Sequence, residues 1–271
     1  MKLGFSVETL LPLARVSGPM RLGLVRLDDD EWLQPEPDLE VRNRYFDAYP
    51  ESVIVLPSAE APGEELAAML GVSGGLEQAA RAVWEDVCIL TRESADAPLL
   101  LTAGAVAFPT DWRLAEKFGK PLLAVHQPID GYAEQLSSGV DAFMEGLQSG
   151  ALFGRTNAFV LPSDALRYLP EGEPSARFAH VTSQNAGETL FVRCERETLR
   201  RLPGTGAIVF TIGIHLAPLG TLSDAAVERI AQSLEGYGAG ENDRRSMPHY
   251  AGALAGYAQA RAESLSGVPV S

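Results

Sequence analysis

Cysteine and histidine are scarce in this 271-residue chain, and basic residues are outnumbered: 2 Cys, 4 His, and 22 Lys and Arg against 36 Asp and Glu. Cys88 and Cys194 have no CxxC or Cys/His companions, which argues against a zinc site or a disulfide scaffold. Each sits in an apolar, strand-like stretch where cysteine serves as a small core residue, so the expected compartment is reducing and cytoplasmic. A net charge of −14 repels phosphate backbones and anionic lipid, and argues against nucleic-acid and membrane partners. No apolar run approaches the ~20 residues of a membrane span. The opening Met1-Lys2-Leu3-Gly4-Phe5-Ser6-Val7-Glu8 does not read as a signal peptide. The P-loop, GxGxxG after a first strand, HExxH and GxSxG are all missing.

Hydrophobic residues make up 46% of the chain, enough for one sizeable core, and we read residues 1–271 as a single domain without repeats. Helical spacing predicts helices over 41–49, 63–69, 75–85, 112–118, 132–147, 223–234 and 248–263. Strands are expected over 86–91, 99–108, 122–126, 158–161, 189–193 and 206–216, with a helical turn over 198–202 ended by Pro203-Gly204. The first two strands flank a polar turn and predict an antiparallel hairpin. The fold class is therefore α+β, an antiparallel sheet with flanking helices. Gly71-Val72-Ser73-Gly74-Gly75 joins two helices and reads as a turn rather than a phosphate cradle; Asp28-Asp29-Asp30 reads as a solvated turn rather than a cation loop.

His126 ends an apolar run before Gln127-Pro128, where a neutral imidazole on a rigid apolar wall suits haem iron. A structural role is the commoner fate of a lone histidine there. His215, near the end of the last strand, could face the same pocket, whereas His180 and His249 read as surface residues. The run Arg193-Cys194-Glu195-Arg196-Glu197-Thr198-Leu199-Arg200-Arg201 is the densest charge cluster. Guanidinium groups here could hold carboxylates in bidentate fashion, or the run could be a salt-bridged surface helix.

The order of several segments carries more than any one of them. Trp84 to Leu90, Ala105 to Trp112, Glu116 to Leu122, Val125-His126-Gln127-Pro128-Ile129, Arg155-Thr156-Asn157, Arg193 to Pro203 and Ala207 to Ile212 follow one another as they do in the haem-dependent oxidative N-demethylase-like family. The resemblance spans about residues 25–260. It implies a PAS-like sheet, haem b as cofactor, and O2-dependent oxidation of a small amine or N-methylated metabolite. Hydroxylation of the N-methyl carbon would give a carbinolamine that collapses to formaldehyde and the demethylated amine. Electrons would come from NADPH through separate flavin and iron–sulfur reductase components.

By matching motif, the resemblance assigns His126 as the axial ligand, in an isoleucine-histidine-x-proline element with Val125 for the isoleucine. It assigns Arg193 and Arg196 to propionate binding or the oxygen pocket, with Glu195 fixing one of them. Trp112 and Phe108 are expected in the core or pocket wall. Four positions depart from the family's pattern: Glu197 for glutamine, Ala158 for tryptophan, Gly213 for arginine and His215 for an aromatic residue. His215 as a second axial ligand would close the iron to oxygen. The alternatives to an enzyme are a haem-binding gas or redox sensor and a haem-free binding protein.

Overall fold

In the computed structural model, the described residues are 5–14, 22–125, 137–234, 236 and 239–266. Seven strands form one sheet among them: β1 (Val25–Leu27), β2 (Val53–Val55), β3 (Asp86–Thr91), β4 (Leu100–Ala105), β5 (Leu152–Leu161), β6 (Phe191–Arg201) and β7 (Ile208–Pro218). Their order is β1-β5-β6-β7-β3-β4-β2, with every pairing antiparallel. The α+β class and the β3–β4 hairpin stand as expected.

Helices cover both faces of the sheet. On the front, α5 (Leu114–Lys117), α6 (Leu122–Val125) and α7 (Ser137–Gly146) pack Leu114, Leu122, Val140 and Met144 against Cys88, Leu90, Leu199 and Ile208. Gly104 makes this approach possible, because a Cβ there would lie 2.6 Å from Leu114 Cδ1. On the back, α2 (Leu39–Ala48), α3 (Glu60–Met69) and α4 (Leu76–Arg81) bury Phe46, Leu66 and Ala80 with Val87, Ile89 and Val209. Further along the back, α1 (Val7–Leu10), α10 (Asp224–Ser233) and α12 (Ala251–Ser266) enclose Val192 and Cys194. Both cysteines are buried core residues, and burial pushes each thiol up to about 12.

Two local expectations are corrected. Leu122–Val125 is a helical turn, not a strand: Val125 N–H donates to the Pro121 carbonyl at 3.0 Å. A four-residue apolar run carries no period that separates helix from strand. The expected strand at 189–193 and helical turn at 198–202 are one eleven-residue strand, β6. Its Glu and Arg residues favour helix in isolation, but β6 lies between β5 and β7 and is hydrogen-bonded on both edges. Tertiary pairing overrides the local propensity.

Candidate functional site

A strand turns successive side chains to opposite faces, so β6 deals its charged run to both sides of the sheet. Glu195, Glu197 and Leu199 face front and line a cavity of about 430 Å³. Cys194, Arg196 and Thr198 face back, where Arg196 is paired across the ladder with Gly213 and Cys194 with His215. The cavity lies between the front face and its covering helices. Leu22, Leu90, Leu122, Val140, Met144 and Phe210 form an apolar wall, and charged groups cluster on the remaining surface.

The cavity carboxylates are held differently. Glu197 accepts from Arg155 Nε at 2.5 Å and from Asn157 Nδ2 at 2.8 Å; both donors come from alternate positions of β5 and line the cavity. Glu195 accepts from the Thr110 hydroxyl and lies 3.5 Å from Arg193 Nε. Burial pushes the Glu195 carboxyl above its usual range, opposed by Arg193 and Thr110 and reinforced by Glu197.

A third carboxylate, Glu241, lies on α11 (Ala239–Arg244) beside Arg244 at 2.7 Å and Arg245 at 2.6 Å. Burial would raise it, but hydrogen bonds and charge from these arginines bring it down to about 2. Two of the described non-glycine residues with positive φ, Asp111 (58°) and Ser246 (56°), also line the cavity. Such conformations cost free energy and concentrate at ligand sites.

The residues expected from the sequence separate into groups. Arg193 is fully buried and committed to the backbone: Nη2 donates to Phe108 O at 2.6 Å and Nη1 to Leu166 O at 3.0 Å. It thereby ties the loops bearing Phe108 and Leu166 to β6 beside Glu195. Arg196 donates to Trp32 O at 3.0 Å and to Glu31 O, and its guanidinium lies 4.0 Å from the Phe5 ring centre. Arg193 and Arg196, three residues apart, are therefore not brought together.

Trp112 lines the cavity, whereas Phe108 is core, packed on Trp84 and Tyr45. His215 is on the back face, edge-on to Phe5 at 6.2 Å, with Nε2 buried and unpartnered. Burial, and secondarily Arg196, bring its pKa down to about 4. Gly213 stands beside it: a Cβ there would lie 3.3 Å from His215 Nε2 and 3.4 Å from Glu85 Oε1. His126 lies outside the described residues; Val125, the residue before it in sequence, lines the cavity. His180 and His249 are exposed, as expected.

Sequence reading passed over Asp111, Tyr168, Arg177, Glu241, Arg244 and Arg245, all of which line the cavity. They come from loops and short helices with no periodic signature. Arg155 and Asn157 stand in a segment that carries the family resemblance, which assigned neither a role.

The model of the family described as haem-dependent oxidative N-demethylase, alpha subunit-like, matches residues 71–254. The chain belongs to this family. The match covers well over half of the chain and, of the cavity lining, omits only Leu22 and Leu24. The family's name marks it as haem-dependent, oxidative and subunit-like. Among the described residues, no helix is long and apolar enough to cross a membrane, and no group of three or more His, Cys, Asp or Glu could hold a metal ion by itself.

A haem suits the cavity's residues: the space falls within the usual range for small-molecule sites of about 300–1,000 Å³, one wall is apolar, and one lining cation, Arg177, keeps an unpartnered Nε for a carboxylate.

Proposed function

We propose that the front cavity holds haem b and a small amine or N-methylated substrate, and that the protein is a haem-dependent monooxygenase of the N-demethylase type on a PAS-like sheet. The observation that carries this reading is the cavity itself: an apolar chamber walled by Glu195 and Glu197 within the family-matched segment. Bound haem would supply oxygen activation and removal of hydrogen from the N-methyl carbon, with electrons from NADPH through an external flavin and iron–sulfur reductase. His126, directly after cavity-lining Val125, is the proposed axial ligand.

The chain's own residues then have distinct tasks. An alkylammonium entering the cavity is attracted to the two carboxylates. Glu197 is engaged by Arg155 and Asn157, which fix it in the wall. Glu195, whose proton affinity is raised by burial, accepts the ammonium proton and leaves a neutral amine for oxidation. Arg193 positions Glu195 and the Phe108 loop without reaching substrate. The apolar wall limits water beside the reacting carbon.

The test is an absorption spectrum of protein purified from haem-supplemented cells, followed by formaldehyde release from dimethylamine with a reductant and O2. The expected result is a Soret band, shifted by carbon monoxide after dithionite, with amine-dependent formaldehyde. His126→Ala should fold and lose most haem; an unchanged Soret band in that variant overturns its assignment. A folded, colourless wild-type protein overturns the cofactor and the activity together.

A further inference from the structure

The cations lining the cavity are nearly all engaged. Lys117 donates to Val125 O at 2.7 Å, Arg155 is held by Glu197, and Arg244 and Arg245 are held by Glu241. Arg177 differs. Its Nη1 donates to the Tyr168 hydroxyl at 3.3 Å, its Nε is buried without an acceptor, and no carboxylate among the described residues reaches salt-bridge distance. Asp111 also lines the cavity and acts on Arg177 only through space.

The frame around Arg177 is firm. It ends α8 (Pro174–Arg177), and the next residue, Phe178, is buried and stacked on Tyr250 with ring centres 5.2 Å apart. Tyr168 is fixed to the opposite loop: its N–H donates to Pro109 O at 2.9 Å, and its carbonyl accepts from Asp111 N–H at 2.7 Å. Its hydroxyl, having accepted from Arg177, retains a proton to donate. A guanidinium edge beside a phenolic donor matches the two oxygens of a carboxylate.

We infer that Arg177, assisted by Tyr168, is the carboxylate-binding residue of the cavity. This rests on the cavity being the ligand site proposed above. The carboxylate has two possible sources, a haem propionate or an acid group on an amino-acid-like substrate, and the same contact serves either. The propionate-binding role that the resemblance implies for Arg193 and Arg196 thus moves to an arginine whose hydrogen-bonding capacity is not consumed by backbone carbonyls.

The experiment compares wild type, Arg177→Gln and Arg177→Lys, each checked for folding by circular dichroism. Haem-free protein is titrated with hemin and with hemin dimethyl ester; haem-loaded protein is titrated with dimethylamine and with N,N-dimethylglycine, read by the Soret band. If the source is a propionate, wild type prefers hemin over its ester by about tenfold, the value of one good charge-assisted contact. That preference disappears in Arg177→Gln and is partly kept in Arg177→Lys. If the source is a substrate, N,N-dimethylglycine is the favoured amine, and Arg177→Gln removes that preference.

If both preferences are absent from wild type, or survive in Arg177→Gln, the inference is overturned. If no haem binds at all, the cofactor reading fails by itself. Acetate titrated into the colourless protein, followed by NMR, then decides the matter: shifts lost in Arg177→Gln support the inference, and no shifts in wild type overturn it.

Discussion

The two faces of β6 use the same residue types for different ends. On the back, Arg196 is buried and consumed by the Trp32 and Glu31 carbonyls and the Phe5 ring. On the front, Glu195 and Glu197 are held in place but still border open space. Polar groups on a strand become structural where the opposing layer supplies fixed partners, and become available to a ligand where that layer stands off. One residue of register separates the two outcomes.

The largest test of this division sets Arg193→Ala beside Arg196→Ala. Removing Arg193 strands the Phe108 and Leu166 carbonyls and leaves Glu195 without its charged partner, at about 3–5 kcal/mol by urea unfolding. It should also weaken haem binding, because the Glu195 wall loosens. Arg196→Ala should lose stability while its haem affinity stays at the wild-type value. Equal losses of haem in both variants would erase the distinction between the faces.

The next effect belongs to the back face. Unfolded histidine titrates near 6.5 and buried His215 near 4, so the unfolded chain takes up the proton first. This contribution is fully present above pH 6.5 and falls as the pH drops toward 4, by about 3 kcal/mol at about 1.4 kcal/mol for each pH unit. His215→Phe should remove that pH-dependent part, seen as a smaller difference between urea midpoints at pH 7 and pH 4.5. An unchanged difference would mean that the imidazole is not held neutral.

Glu197→Gln is a smaller change on the front. It replaces the carboxylate partner of Arg155 with a neutral amide, so amine turnover should fall about tenfold with stability altered by less than about 1 kcal/mol. A stability loss without a kinetic effect would make Glu197 a structural residue like those behind it. Smallest is Thr110→Val, which deletes the hydroxyl bond to Glu195 and should cost about 1 kcal/mol.

The centre of the sheet, β3, β4 and β7, was legible in its apolar runs, whereas the three-residue edge strands β1 and β2 and the first six residues of β5 gave no such signal. The apolar run Asp86–Thr91 is a strand as expected, and the helix expected from 223 is α10, capped by Ser223, which accepts from Ala226 N–H at 3.3 Å. The charged run was misread because Glu and Arg do not mark a strand. Only its burial between β5 and β7 does, and that depends on residues 30 to 48 positions upstream and 7 to 27 downstream. Arg193 and Arg196 looked equivalent in a motif, but a spacing of three places them on opposite faces once the segment is extended. Arg177 and Tyr168 gave no signal, because their meeting is set by the packing of loops. Glu195 was found, but the energetic reason for its raised proton affinity, burial beside Glu197, is a property of the assembled sheet.

The division between faces is tested most directly by hemin titration of two neighbouring variants, Leu199→Trp and Thr198→Val, followed at the Soret band. Leu199 projects into the cavity, and Thr198 projects to the back, where it bonds Thr211 at 2.6 Å. With haem in the front cavity, the indole at 199 occupies its space and weakens binding by about tenfold or more, while Thr198→Val binds as wild type does. Undiminished haem binding by a folded Leu199→Trp would contradict the assignment of the cavity.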